Sequence, residues 1–380
     1  MSGSCHLCSE RRSHAMLFNE ERIGPIVVGS YEASGREGVH LIALDAGTGE
    51  LKRIGGAAGI ENPSFIAIHP TMPRVYAVSE TDDGAVVSYG YSEEESALAE
   101  LNRQPSRGDA PCHLSVAASG RWLLAVNYSS GSVCLYPLGE DGTIGPLADQ
   151  AVHEGSGVRA DRQEKAHAHS VFPIRGTDDW LVCDLGTDGL YVYRIDEAAG
   201  KLVLRSRTDT AAGAGPRHTA CHPALPIVYV VEELSCAVSA YEYRAEAGEL
   251  VPLQTVSTLP DGYEGDNTCA DIHLTKSGSY LYASNRGDDS LAVHRVLADG
   301  TLEPRGQVPA GGRTPRSFAV YGDRWLLSAL QDSNSVVSFR LGEDGMPAPT
   351  GFALEVHKPV SLELAPDADS GSGSSSGSDE

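Results

Sequence analysis

The sequence predicts an all-β chain folded as a seven-bladed β-propeller. Three observations predict it: a composition rich in turn formers without helical periodicity, a unit recurring about every 50 residues, and a last unit divided between the two chain ends. The composition comes first. Among 380 residues there are 42 glycines, 21 prolines and only three tryptophans, and no long run repeats with a 3.6-residue period. Such a chain forms many short strands joined by tight turns rather than helices. Its length would suit two ordinary domains, but all-β rings use such lengths as one unit.

The repeat is a Pro-led strand, a polar turn, a second apolar strand, a polar corner and a third strand. Six copies read NPSFIAIHPTMPRVYAVSETDDGAVVSYGY from Asn62, APCHLSVAASGRWLLAVNYSSGSVCLYPL from Ala110, HAHSVFPIRGTDDWLVCDLGTDGLYVYRI from His167, GPRHTACHPALPIVYVVEELSCAVSAYEY from Gly215, NTCADIHLTKSGSYLYASNRGDDSLAVHRV from Asn267 and TPRSFAVYGDRWLLSALQDSNSVVSFRL from Thr314. The leading prolines Pro63, Pro111, Pro216 and Pro315 are 48, 105 and 99 residues apart, the last two being double steps. A period of this size with about four strands per unit is that of a propeller.

The seventh unit is split. IVVGSY from Ile26 and GVHLIALD from Gly38 lack a Pro-led strand, whereas KPVSLEL from Lys358 is a Pro-led strand without followers. Joined, they make one blade, which closes the ring and removes the open sheet edges. The propeller therefore spans 22–365. Residues 1–21 are expected to be a disordered leader, and the Gly/Ser-rich acidic segment 366–380 a disordered tail. Turns such as Glu140-Asp141-Gly142 and Ala298-Asp299-Gly300 carry tight-hairpin chemistry.

With 52 acidic against 29 basic side chains, the net charge of -23 argues against nucleic acid or an anionic membrane as a partner, so an anionic substrate needs a local basic pocket. No apolar run reaches 18 residues and the N-terminus lacks a continuous apolar segment, which predicts a cytoplasmic protein. It is expected as a monomer or homodimer. The eight cysteines are dispersed, several within apolar strands, and are read as buried free thiols. Cys5 and Cys8 form a lone C-x-x-C without the second pair a zinc finger needs.

In a propeller, equivalent repeat positions form rings around a central channel. One polar position follows the Pro-led start: His113, His169, Arg217 with His218, Asp271 and Arg316. Another ends the second strand: Glu80, Asn127, Asp184, Glu232 with Glu233, Asn285 with Arg286, and Gln331 with Asp332. Asp and Asn at strand ends also brace turns, which is the plainer reading of Asp184 and Asn127. A turn needs no guanidinium, so Arg217 and Arg286 beside a low-dielectric channel point to an anion. His167 and His169 are two apart, and on a regular strand both imidazoles face the same side. That spacing permits a shared metal, but no third ligand of suitable spacing accompanies it. Glu232 and Glu233 are adjacent carboxylates, an arrangement that raises the pKa of one of them and suits a general acid or base.

The segments APCHLSV, NYSSGSV, HAHS with DLGTDGLYVY, GPRH with VVEEL, and SNRGDDSLAV together resemble the lactonase propeller family, which includes bacterial-type 6-phosphogluconolactonase and fungal carboxy-cis,cis-muconate cyclase. The likeness runs from about residue 24 to 364. The resemblance implies a seven-bladed propeller without metal or other cofactor, with a site at one channel mouth built from a histidine, two arginines and a glutamate. Carried over motif by motif, these are His169 of HAHS, Arg217 of GPRH, Glu233 of EEL and Arg286 of SNRG. Family members often have Asn-Glu-Leu where this chain has Glu232-Glu233-Leu234, which adds a negative charge beside the site.

The expected activity is hydrolysis of a small anionic sugar lactone, 6-phosphogluconolactone in the first instance. Catalysis falls to His169, Glu233, Arg217 and Arg286, and substrate contacts to His113, His167, Asp184, His218 and Arg316. Arginine suits both phosphate binding and oxyanion stabilisation because its planar fork is bidentate and permanently charged. A muconate cyclase using the same residues, or a non-catalytic propeller scaffold, are the alternatives.

Overall fold

The computed structural model describes residues 22–92 and 94–364. The leader 1–21, the tail 366–380 and the Cys5/Cys8 pair lie outside the described residues. Within them the chain is all-β: seven four-stranded antiparallel sheets form the blades, and one 3-10 turn, Gln331–Ser333, is the only helical element among the described residues.

The innermost strands are Pro359–Leu364 (blade 1), Ile66–Ile68 (blade 2), Pro111–Val116 (blade 3), Ala168–Pro173 (blade 4), Pro216–Cys221 (blade 5), Thr268–Leu274 (blade 6) and Pro315–Tyr321 (blade 7). Blade 1 is the split unit: Pro359–Leu364 pairs antiparallel with Arg22–Ser30, with Val28 opposite Leu362, and Val39–Asp45 and Leu51–Ala57 follow outward.

Strand alternation sends one apolar face of each blade against the next blade, so the core is divided among the blade interfaces. Ile26, Ile42, Trp325 and Leu327 pack blade 1 on blade 7, which closes the ring. Leu124, Val133, Val171 and Trp180 pack blade 3 on blade 4, and Val231, Val238, Ile272 and Leu281 pack blade 5 on blade 6.

Tyrosines of the second strands add a directional clamp. Tyr76, Tyr229 and Tyr282 donate their hydroxyls to the carbonyls of Gly142, Gly300 and Gly345 in the hairpin turns of the following blade, at 2.8–3.0 Å. A buried tyrosine needs such a partner for its hydroxyl, so the Asp-Gly turns serve as docking points as well as reversals.

Cys112, Cys134, Cys183, Cys236 and Cys269 are buried and Cys221 is half-buried, all as free thiols. None of the described residues forms a helix long and apolar enough to cross a membrane.

Candidate active site

The inner strands share an irregularity that builds the site. Their pairing register with the second strand slips between Pro111 and His113, Ala168 and Ser170, Pro216 and His218, Cys269 and Ile272, and Pro315 and Ser317. Each slip is a β-bulge, which frees a residue from the ladder and re-aims its side chain. The freed residues include Cys112, His169, Arg217 and Arg316. Ahead of the leading prolines stand Asn62, Ala110, Thr314 and Lys358, all at positive φ, and Gly215. The chain thus turns sharply into the channel, and proline opens a strand whose first amide has no ladder partner.

Glu233 is the focus. It follows the second strand of blade 5, Ile227–Glu232, and its amide donates to Gly215 O at 2.7 Å. Its Oε2 accepts from Arg217 Nε at 2.9 Å and lies 3.0 Å from Arg286 Nη2, while Oε1 accepts from Arg162 Nη2 at 2.6 Å. Burial alone would push this carboxyl upward, but Arg286, Arg217 and Arg162 outweigh it and bring the pKa down to about 2. Glu233 is therefore an ionised clamp. Adjacent carboxylates are expected to raise the pKa of one of the two, but that of Glu233 moves the other way, and the two side chains diverge at the strand end. Glu232 turns into the blade, where Ser235 and Ser239 hydroxyls each donate to it at 2.6 Å.

His169 Nε2 lies 4.0 Å from Glu233 Oε2, and its Nδ1 is buried without a partner. Burial, then Arg217, His218, Arg316 and Arg286, hold its pKa well below the ordinary histidine value, so the ring is neutral. Arg316 forms no hydrogen bond or ion pair with the described residues; its guanidinium sits 5.4 Å from the Tyr31 ring, and Tyr31 donates to Glu80 at 3.1 Å. Arg217 donates through Nη1 to Ala270 O and His218 Nε2, and Arg286 Nη2 also donates to Cys269 O at 2.8 Å. Four guanidiniums thus converge on one mouth against the carboxylates of Glu233 and Glu80, a basic pocket in an acidic protein.

The catalytic candidates His169, Glu233, Arg217 and Arg286 stand together, with Arg316 beside them. Four of the expected substrate contacts are placed elsewhere. Asp184 is fully buried: Oδ1 accepts the amides of His167 and Thr187, and Oδ2 meets His153 Nδ1 at 2.7 Å, so it braces blade 4. His167 precedes its strand, and the bulge at His169 breaks the alternation that would have put both rings on one side. It stacks on Tyr128, with Nδ1 at Tyr128 O and Nε2 at Glu164, while His169 meets the edge of the same tyrosine. His113 is sealed in the channel floor between Phe65 and Phe172, at 3.9 and 4.4 Å between ring centroids. His218 lies beside it, with Nε2 at Arg217 Nη1 and its ring 5.4 Å from that of His169.

The sequence reading passed over Arg162. It comes from the segment between blades 3 and 4, outside the repeat. The neighbouring Gln163 pins that segment through Leu185 O and Asp188 Oδ1 at 2.8 and 2.7 Å. Asp188 also receives the amides of Gly213 and Gly215, so one carboxylate registers the Arg162 segment against the start of the Arg217 strand. The signal available was the charged, strand-poor run RADRQEK, unusual between two blades. No cluster of three metal-ligating side chains occurs among the described residues.

A family model described as "Lactonase, 7-bladed beta-propeller" matches residues 25–364. The chain is 34% identical over 315 residues to the 6-phosphogluconolactonase of Bacillus subtilis, covering 82% of this chain and 89% of that protein. Among solved structures, a protein from Lactobacillus plantarum superposes with a TM-score of 0.84 at 27% identity, covering 91% of this chain and 99% of the other. The periplasmic gluconolactonase PpgL of Pseudomonas aeruginosa superposes with a TM-score of 0.83 at 28% identity, covering 90% and 98%.

Proposed function

The chain belongs to the lactonase family of seven-bladed β-propellers, and from that membership we propose that it hydrolyses 6-phosphogluconolactone, a phosphorylated cyclic ester, to 6-phosphogluconate. The observation that carries the reading is the gathering of Arg162, Arg217, Arg286 and Arg316 around Glu233, beside a neutral His169 with an unpartnered ring nitrogen. A scaffold has no use for four buried or half-buried cations at one mouth, and an anionic ester does.

In this reading Arg316, the guanidinium without a carboxylate partner, takes the substrate phosphate together with the half-exposed Arg162. Arg217 and Arg286 face the lactone carbonyl, where they stabilise the oxyanion that forms as water adds. His169 accepts the proton of that water. As the tetrahedral intermediate collapses, the bond from the carbonyl carbon to the ring oxygen breaks, and the proton passes to that oxygen, which becomes a hydroxyl. Glu233 keeps three guanidiniums from repelling one another before substrate arrives. A bound phosphate adds negative charge where Arg217, Arg286 and Arg316 depress His169, so substrate itself raises the basicity of the group that must act. A sugar phosphate substrate fits the cytoplasmic location expected from the sequence and a place in the pentose phosphate pathway.

The test is the opening of freshly generated 6-phosphogluconolactone, followed through coupled oxidation of phosphogluconate. Purified protein should accelerate opening in proportion to its concentration. A rate indistinguishable from spontaneous opening at micromolar protein would remove the proposal.

A further inference from the structure

We propose that Asp271 and His218 form a positioning pair that orients Arg217 for catalysis, acting from the channel floor without touching substrate. The inference rests on the hydrolytic reading above for its kinetic consequence, but the geometry stands independently of it.

Asp271 is 5% exposed and sits at the bulge of the blade 6 inner strand. Its Oδ1 accepts from the Ile272 amide at 3.0 Å and faces His218 Nδ1 at 2.9 Å. Its Oδ2 receives the Ser317 hydroxyl at 3.0 Å and the Phe318 amide at 3.2 Å, and lies 3.2 Å from His273 Nε2. Burial opposes its ionisation, yet His273, His218 and these donors hold its pKa well below the ordinary value. An ionised carboxylate can only accept, so His218 Nδ1 must carry the hydrogen.

That fixes the other edge of the ring. Burial and Arg217 push the His218 pKa down to about 4, so near neutral pH the imidazole has one proton and Nε2 is a lone pair. Arg217 Nη1, which can only donate, lies 3.1 Å from it. The hydrogen-bond polarity therefore runs one way, from Arg217 through His218 to Asp271.

Arg217 is held at Nε by Glu233 and at Nη1 by His218 and Ala270 O, and its Nη2 has no hydrogen bond to the described residues. Glu233 is shared with two other arginines and faces the mouth, where an anionic substrate competes for the same cations. His218 and Ala270 are both buried. They hold Arg217 in place so that its Nη2 is already aimed where an oxyanion develops.

The plainer reading is packing, since His218 also packs on Phe65, Phe172, His113 and His169. The two readings predict opposite orders for two variants. His218→Phe keeps an aromatic ring in the floor and removes the acceptor; His218→Gln loses the ring but offers Arg217 an amide oxygen. Positioning predicts that His218→Phe lowers kcat on the order of 10- to 100-fold at nearly constant KM, with its melting temperature little changed, whereas His218→Gln retains most of kcat despite a lower melting temperature. Asp271→Asn should lower kcat at unchanged KM. If His218→Phe keeps wild-type kcat, the pair does not position Arg217.

A second readout needs no activity. Nitrogen-15 NMR of the full-length protein between pH 6 and 8 should show a neutral His218 protonated at Nδ1. Protonation at Nε2 would overturn the inference even if the lactonase reading stands. If the Nδ1 tautomer is found but wild-type protein hydrolyses no lactone, the substrate assignment fails and the orientation of Arg217 survives.

Discussion

His169 Nε2 stands 4.0 Å from Glu233 Oε2, beyond hydrogen-bonding distance. The carboxylate therefore does not hold the imidazole in its charged form, and burial first, then Arg217, His218, Arg316 and Arg286, keeps it neutral. His169→Asn should lower kcat on the order of 10²- to 10³-fold while leaving the melting temperature within a few degrees. Steady-state kinetics with thermal melts on the same preparations check this.

Glu233→Gln removes the anion shared by Arg162, Arg217 and Arg286. The cluster is buried, so leaving it uncompensated should cost about 3–5 kcal/mol of stability. Inorganic phosphate should restore part of that loss, and stabilise the variant more than it stabilises wild type. Urea unfolding with and without phosphate measures both. The same group gives wild type an acid dependence: with a pKa of about 2 in the fold and an ordinary value when unfolded, the unfolded chain binds the extra proton first, so this contribution is present above about pH 5 and is lost as pH falls toward 2.

Of the four clustered guanidiniums, that of Arg316 alone makes no ion pair with the described residues. Arg316→Ala should raise KM for the phosphorylated lactone about 10- to 100-fold, the worth of a charge-assisted hydrogen bond, and leave hydrolysis of the unphosphorylated δ-gluconolactone nearly unchanged. Equal losses on both substrates would move phosphate recognition to another arginine.

Glu363 lies on the inner strand of blade 1, where burial, opposed by His273 and reinforced by Asp271, raises its pKa to about 7. The folded protein here holds a proton that the unfolded chain releases near pH 4.5, so this residue costs stability progressively between about pH 4.5 and 7. Glu363→Gln should therefore stabilise the protein by about 2 kcal/mol at pH 8, after discount for solvent screening, and have little effect at pH 4. Denaturant midpoints at the two pH values decide it.

Gly287 follows Arg286 at φ +131°, and a Cβ there would meet Asp266 O at 2.1 Å. Gly287→Ala should cost about 2–4 kcal/mol and carry Arg286 away from Glu233, so kcat should fall along with stability. A variant that melts earlier but turns over normally would show that Arg286 is not needed in its place.

The ring was legible because repeats and alternation are local: the Pro-led strands, the Asp-Gly turns and the divided blade are written in consecutive residues. So were His169, Arg217, Glu233, Arg286 and Arg316, since each stands near the start or end of a repeated strand. What escaped depends on register. A bulge is invisible in HAHS or GPRH taken as regular strand, and it decides that His169 and Arg217 reach the site while His113 and His218 pack beneath it. Asp184 ends its strand as Glu232 does, one residue short of the position of Glu233, and the amides of His167 and Thr187 and the ring of His153 enclose it. Arg162 escaped because it belongs to no repeat and meets Glu233 only after two blades have come together.

The strand that closes the ring is also the last of the described strands to leave a ribosome. The Leu362 amide on it donates to the Ser317 hydroxyl, which in turn donates to Asp271 beneath the arginine cluster. Six blades can form on a growing chain, but the floor of the site is finished only when Pro359–Leu364 pairs with Arg22–Ser30. Turnover should therefore appear during synthesis as a step rather than a ramp, and chains stopped short of residue 359 should be inert whatever fraction of their sheet they have formed.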